Sequence, residues 1–185
     1  MKKHGRFGTR LYSISKLAGH FLVVVAVAAT VNAQSKDDVG TIDGIIKAYY
    51  EVISGPAGEA PDFERDASLH HSTALISIAS VSEQGGARLS TMSLKGYYDR
   101  FGGPRESGFY EWEIHRRTER FGNIANVWST YAASEKPNGE PFARGINNIQ
   151  LFYDGERWWI ISWIYDTERR GNAIPEDYLP KKSVD

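Results

Sequence analysis

This chain of 185 residues contains no cysteine. The absence excludes disulfides, thiolate metal ligands and a cysteine nucleophile, and it leaves stability to packing alone. No Gly-x-Ser-x-Gly elbow occurs, so serine-nucleophile chemistry has no support, and no glycine-rich phosphate loop occurs either. Internal repeats are absent. The longest apolar run, residues 17–31, spans about 15 positions and is interrupted by His20, short of the about 20 that a membrane-crossing helix needs.

What surrounds that run gives it a different meaning. Lys2, Lys3, Arg6, Arg10 and Lys16 precede it, and the small residues Val31-Asn32-Ala33 close it before Gln34. Positive charge, apolar run and small-residue site in that order describe a secretory signal peptide. The expectation is an exported chain, periplasmic or extracellular, with no stable membrane insertion after cleavage. No cysteine follows the run to carry a lipid, and the basic region has no twin-arginine pair, which points to translocation in the unfolded state. Removing residues 1–33 takes away five of 22 basic residues and none of the 23 acidic ones, leaving 17 against 23, a formal charge of −6. Such a surface repels phosphate backbones, so no nucleic-acid partner is expected.

The remaining residues, 41% hydrophobic and 12% aromatic over the whole chain, have the composition of one packed domain. Residues 34–40 are polar and read as flexible, 41–168 as the domain, and 169–185 as a charged tail whose Tyr178 and Leu179 can tuck back onto the body. Ile42, Ile45, Ile46, Tyr49 and Ile53 recur at helical spacing until Ser54-Gly55-Pro56. A second helix is expected from Pro61, with Phe63, Asp66, Ala67 and His70 on one side. A strand over 74–79 and the turn Gln84-Gly85-Gly86 follow. Leu94, Tyr97, Tyr98 and Phe101 mark a third helix, with Ser90, Thr91 and Ser93 read as its capping residues and Gly102-Gly103-Pro104 as its end.

Beyond this point the pattern is all strand. Residues 107–119 alternate Tyr110, Trp112 and Ile114 with Glu111, Glu113 and His115, which predicts a half-buried strand with the acidic face in solvent. A strand over 124–134 follows, and then two strand-length runs joined by Asp154-Gly155, a hairpin signal. In the last run Trp159, Ile161, Trp163 and Tyr165 fall on one face and Trp158, Ile160 and Ile164 on the other. A strand apolar on both faces asks for cover on both, which motivates a homodimer burying the outer face. Helices first and a strand meander afterwards make an α+β fold.

Taken in order, IIKAYYEVISG, DASLHHSTALISI, LSTMSLKGYYDRF, FGNIANVWSTYAA and RGINNIQLFYDGERWWIISW resemble the nuclear transport factor 2-like superfamily, which includes SnoaL-like cyclases, ketosteroid isomerases and scytalone dehydratase. The resemblance spans residues 37–167. It implies a cone-shaped α+β fold, three N-terminal helices on a curved, mainly antiparallel sheet enclosing a pocket, commonly dimeric through the sheet. It implies little about chemistry, since this fold hosts many functions. The tyrosine that donates to the substrate oxygen in the isomerases falls at Tyr49. Their general-base aspartate falls near Ile78, and isoleucine cannot move a proton.

Asp66 and His70, four apart, make a usable proton shuttle or, alternatively, a helix-end histidine satisfied by its neighbours. Adjacent His70 and His71 point about 100° apart on a helix and cannot easily share an ion, so no metal is expected there or with Glu111, Glu113 and His115. Tyr49, Tyr98, Trp112, Trp128 and Trp163 either line a pocket for a flat apolar ligand, with Arg144 and Asn147 as polar contacts, or form a plain aromatic core. The leading reading is an exported, cofactor-free module that binds a small apolar or aromatic molecule. Its alternatives are a cofactor-independent isomerase, dehydratase or cyclase using Tyr49, Asp66 and His70, and a partner-binding dimer with a filled interior.

Overall fold

The computed structural model describes residues 36–181. The expected signal segment, residues 1–33, lies outside the described residues. A four-residue helical turn α1 (Lys36–Val39) opens the fold where a loose segment was expected, and Val39 is buried in the core. Helix α2 (Ile42–Ile53) begins at Thr41, whose side chain accepts from the Gly44 N–H at 2.9 Å, and ends where Ser54 Oγ donates back to the Tyr50 carbonyl. Its buried face carries Ile45, Ile46, Tyr49 and Val52, with Ala48 and Tyr50 beside them. Helix α3 (Phe63–Leu69) is capped by Asp62 rather than started by Pro61, because the carboxylate accepts from the Arg65 N–H. Helix α4 (Leu94–Phe101) is capped by Ser93 and stopped at Gly102.

One mixed, open sheet of six strands carries these helices, in the order β2-β1-β6-β5-β4-β3. The strands are β1 (His70–Val81), β2 (Ala87–Ser93), β3 (Tyr110–Phe121), β4 (Ile124–Ser134), β5 (Ala143–Tyr153) and β6 (Trp158–Thr167). All neighbours are antiparallel except β1 and β6. Two expectations fail near the first edge. His70, the C-cap of α3, is already extended and opens β1, and Ser90 and Thr91 belong to β2, while Ser93 ends that strand and caps α4 as expected. Residues that compete for capping bonds also pair well across strands, as Ser77 and Thr91 do at 3.0 Å, and here the β1 edge supplied the partner.

The doubly apolar appearance of β6 also has a structural cause. Leu151 faces Ile160 and Gln150 faces Ser162, so Ile161 is an extra residue, a β-bulge. The bulge reverses the alternation. Trp158 and Ile160 before it and Trp163 and Tyr165 after it all turn to the helix-covered face, and Ile164 is left outside. One layer of helices therefore covers most of the apolar set, and a second protein layer is not needed to explain it. The core beneath α2 joins Ile45, Ile46 and Val52 to Val127, Ile149, Leu151, Trp158 and Ile160. On the opposite face Tyr178, in a short 3-10 turn (Glu176–Tyr178), packs on Trp128 at 5.8 Å between ring centres, and its carbonyl accepts from Thr130. The tail thus tucks back as expected. No helix among the described residues is long and apolar enough to cross a membrane.

Candidate functional site

A cavity of about 370 Å³ opens between the helices and the inner face of the sheet, at the end away from the Trp158 core. Tyr49 and Ile53 reach it from α2, Asp66 from α3, and Tyr97 and Phe101 from α4. Arg105 and Phe109 enter from the loop between α4 and β3. The sheet supplies Ile78, Glu111, Tyr131, Ala133, Ala143, Asn147, Trp163, Tyr165 and Thr167. The walls are ring-built: Trp163 stands edge-on to Tyr49 and to Tyr97, at 6.1 and 5.3 Å between centres.

Glu111 reaches this space because β3 presents the face opposite to the one expected. Glu111 pairs with Ala133 and Glu113 with Tyr131, both inward-facing positions, so the acidic side of the strand turns inward and Trp112 turns out. Ile114 is the extra residue of a second bulge, which sends His115 to the outer face and Arg116 inward. The inversion is stable because each carboxylate finds a partner. Asn147 Nδ2 donates to Glu111 Oε1 at 3.2 Å, and Glu113 accepts from Ser129 and pairs with Arg116, which also holds Asp43. Burial is the main force on the Glu111 carboxyl and pushes it up to about 7, against the Asn147 hydrogen bond and the Arg105 charge. A carboxyl that exchanges its proton near neutrality is placed to take or give one.

The phenols around it keep their protons. Burial pushes Tyr97 up to about 12 and also raises Tyr49 and Tyr165, with the Glu111 charge acting in the same direction. Among the described residues the hydroxyls of Tyr49, Tyr97 and Tyr165 donate to no protein acceptor, so they can serve a ligand. Tyr131 is instead tied to Thr167 at 3.3 Å.

Asp66 and His70 do meet, but not as a shuttle. The Trp163 indole N–H donates to His70 Nε2 at 3.1 Å, which fixes that nitrogen as an acceptor and leaves the ring proton on Nδ1. That proton goes to the Asp66 backbone carbonyl at 2.9 Å; Asp66 Oδ1 stands at 3.3 Å without a hydrogen bond of its own. Asp66 Oδ2 accepts from Tyr98 at 2.8 Å. The imidazole has no free nitrogen to offer the cavity, and His70 does not line it.

Of the residues singled out from the sequence, Tyr49, Asp66, Asn147 and Trp163 line the cavity. Tyr98 stands behind it, bonded to Asp66 and packed on Phe63 at 4.3 Å. That expected contact and three others are corrected. Trp112 faces away through the inverted phase of β3, Trp128 lies on the outer face under Tyr178, and Arg144 pairs with Glu168 at 2.7 Å. Ile78 does line the cavity, so the wall is hydrocarbon at that position. Glu111 and Arg105 were missed. The signal for Glu111 was present, an acidic alternation on a strand, but alternation does not say which face is inside. Among the described residues no cluster of three potential metal ligands forms.

No protein-family model matches the sequence, and no curated protein matches it. In structure the chain is similar to NTF2-like proteins. One, of unknown function from Shewanella baltica, is 18% identical and matches 68% of this chain and 89% of its own at a TM-score of 0.47. Another, from Silicibacter pomeroyi, is 13% identical over 70% and 94%, also at 0.47. The CaMKII hub homology domain of Chlamydomonas reinhardtii is 13% identical over 58% and 84%, at 0.45.

Proposed function

We propose that the chain is a small-molecule binding domain whose ligand, flat and largely apolar with at least one polar oxygen, occupies the cavity between α2, α4 and the sheet. The observation that carries the reading is the combination of ring walls with phenol hydroxyls that have no protein acceptor. The cavity lies at the small end of the roughly 300–1,000 Å³ typical of ligand sites, and a few convergent polar groups in an apolar lining are what fix a ligand's orientation. Titration calorimetry with 2-acetylnaphthalene, a neutral aromatic ketone, tests it: binding is expected in the native chain and lost in Ala143→Trp, which fills the space. Absence of binding, or equal binding by a folded Ala143→Trp, overturns the reading.

A second reading rests on Glu111. A carboxyl poised near neutrality beside Tyr49 suits proton transfer at a ligand carbon next to a carbonyl, with the Tyr49 hydroxyl polarising the oxygen. Loss of deuterium exchange at such a carbon in Glu111→Gln, with the ketone still bound, is the expected result. Equal exchange in the variant removes the role.

The order of charge, apolar run and small residues supports export with cleavage before Gln34, and terminal sequencing of exported material that returned Met1 would defeat it. Self-association rests on the sheet's outer face, where Leu75, Ile124, Phe152 and Ile164 remain exposed.

A further inference from the structure

We infer that the cavity's ligand is an acid: a small aromatic or alicyclic carboxylate whose charged end is held by Arg105. This rests on the reading of the cavity as a ligand site and adds the chemistry of one end of that ligand. Arg105 lines the cavity, is half-buried, and forms no ion pair with any described residue. Among the described residues its guanidinium makes one hydrogen bond, from Nη1 to the Ile53 carbonyl at 2.7 Å. Most of its N–H donors are therefore unspent, in a setting where burial already works against the charge. Glu111 acts on it only through space, and a desolvated guanidinium with no carboxylate in contact is costly; a ligand carboxylate offers the planar, two-oxygen match that relieves it.

The arginine is also held in place before any ligand arrives. Its guanidinium lies 4.7 Å from the Phe109 ring centre. Phe109 is fixed by paired backbone bonds to Gly55 at 2.8 and 2.9 Å, and the Arg105 carbonyl accepts from the Gly58 N–H at 2.8 Å. Preorganisation of this kind spares the ligand the cost of ordering a long side chain. Asp66 is the acidic exception in the lining, with Oδ2 held by Tyr98; the phenols and protonated Glu111 agree in sign. The unpartnered hydroxyls of Tyr49, Tyr97 and Tyr165 are protonated donors, and Glu111 becomes a donor when it carries its proton. A cavity with surplus donors selects acceptor oxygens.

The test compares three ligands of one size by calorimetry at about pH 6, where Glu111 is mostly neutral: 2-naphthoate, 2-naphthalenecarboxamide and 2-naphthylmethylammonium. The carboxylate is expected to bind at least about tenfold more tightly than the carboxamide, and Arg105→Gln to bring the two within about twofold, the scale of a charge-assisted pair. Arg105→Lys, which keeps charge but not the fork, should retain part of the preference, and it serves if the glutamine variant fails to fold. Carboxylate and carboxamide binding alike overturns the inference while leaving the cavity reading standing, provided 2-acetylnaphthalene binds. Tighter binding of the ammonium overturns it in favour of the Asp66 and Glu111 charges. If no aromatic probe binds, both readings fall.

Discussion

Asn147 donates its amide N–H groups to Glu111 Oε1 and to the Tyr50 hydroxyl, each at 3.2 Å. Because Tyr50 accepts there, its own proton goes on to Ser129 Oγ at 2.7 Å, and Ser129 donates to the Glu113 carboxylate. Every direction in the chain is fixed by the charge at its far end. Glu113, itself neutralised by Arg116, thus holds Asn147 with its donor side toward Glu111.

The first prediction follows from the Glu111 carboxyl. Its folded pKa, raised to about 7, lies above the unfolded value near 4.5, so the native state binds the proton more tightly. The native state's advantage is complete below the unfolded pKa, is lost as pH rises through the folded pKa, and stays lost above it. Glu111→Gln keeps the acceptor for Asn147 and removes the charge. It should stabilise the fold by about 1–3 kcal/mol above pH 8 and change it little near pH 4. Denaturant melts of both proteins across that range check it; a gain confined to acid would contradict the sign.

The same carboxyl sets the pH dependence of acid binding. The charged and titratable groups around it are Tyr49 from α2, Asp66 from α3, Tyr97 from α4, Arg105 from the loop, Tyr131 from β4 and Tyr165 from β6. The phenols stay protonated throughout. Ionised Glu111 repels a bound anion, so 2-naphthoate affinity should fall as pH rises through about 7, and a flat profile is expected for Glu111→Gln. Calorimetry at a series of pH values reads both, and an unchanged slope in the variant would assign the effect elsewhere.

Gly145 closes the sheet beneath Tyr131. A Cβ built there would stand 2.4 Å from the Asp166 carbonyl oxygen and 2.6 Å from the Tyr131 hydroxyl. The first is backbone and cannot swing aside. Gly145→Ala should therefore destabilise the fold by roughly 1–3 kcal/mol, the usual cost of overpacking, with Tyr131 displaced into the cavity. A melting temperature equal to the parent's would show that the strand yields freely.

His70 has no spare nitrogen, so its replacement is expected to cost stability rather than binding. His70→Ala leaves the Trp163 N–H without a partner in a buried site and opens a void, about 2–4 kcal/mol together. Carboxamide affinity at a temperature where the variant is folded should stay within about twofold. A tenfold loss with intact stability would return the imidazole to the site.

The outer face gives an assembly prediction. With Leu75, Ile124, Phe152 and Ile164 exposed there, sedimentation should report a dimer in the native chain and a monomer in Phe152→Lys. A mass independent of concentration at the monomer value would sink it.

Much of this architecture could be read from residues alone. Ile45, Ile46 and Tyr49 gave α2, Asp154-Gly155 gave the last hairpin, and Gly102-Gly103-Pro104 gave the end of α4, because periodicity and turn chemistry are local properties. What escaped was set by partners distant in sequence. Ser90 and Thr91 cap or pair according to whether an edge lies beside them. The acidic face of β3 turned inward because Asn147 and Ser129 waited across the sheet. Arg105 gave no signal at all, since one arginine in a loop is ordinary until the groups around it are known to leave its guanidinium without an ion pair.

The extra residue at Ile161 divides β6 into two independent reading frames. Upstream, Trp158 and Ile160 serve the core; downstream, Trp163 and Tyr165 furnish the chamber. A one-residue slip in either half would be absorbed at the bulge instead of running the length of the strand. The chamber can therefore be re-upholstered for a different guest by changing Tyr165, while Trp163 stays to hold His70.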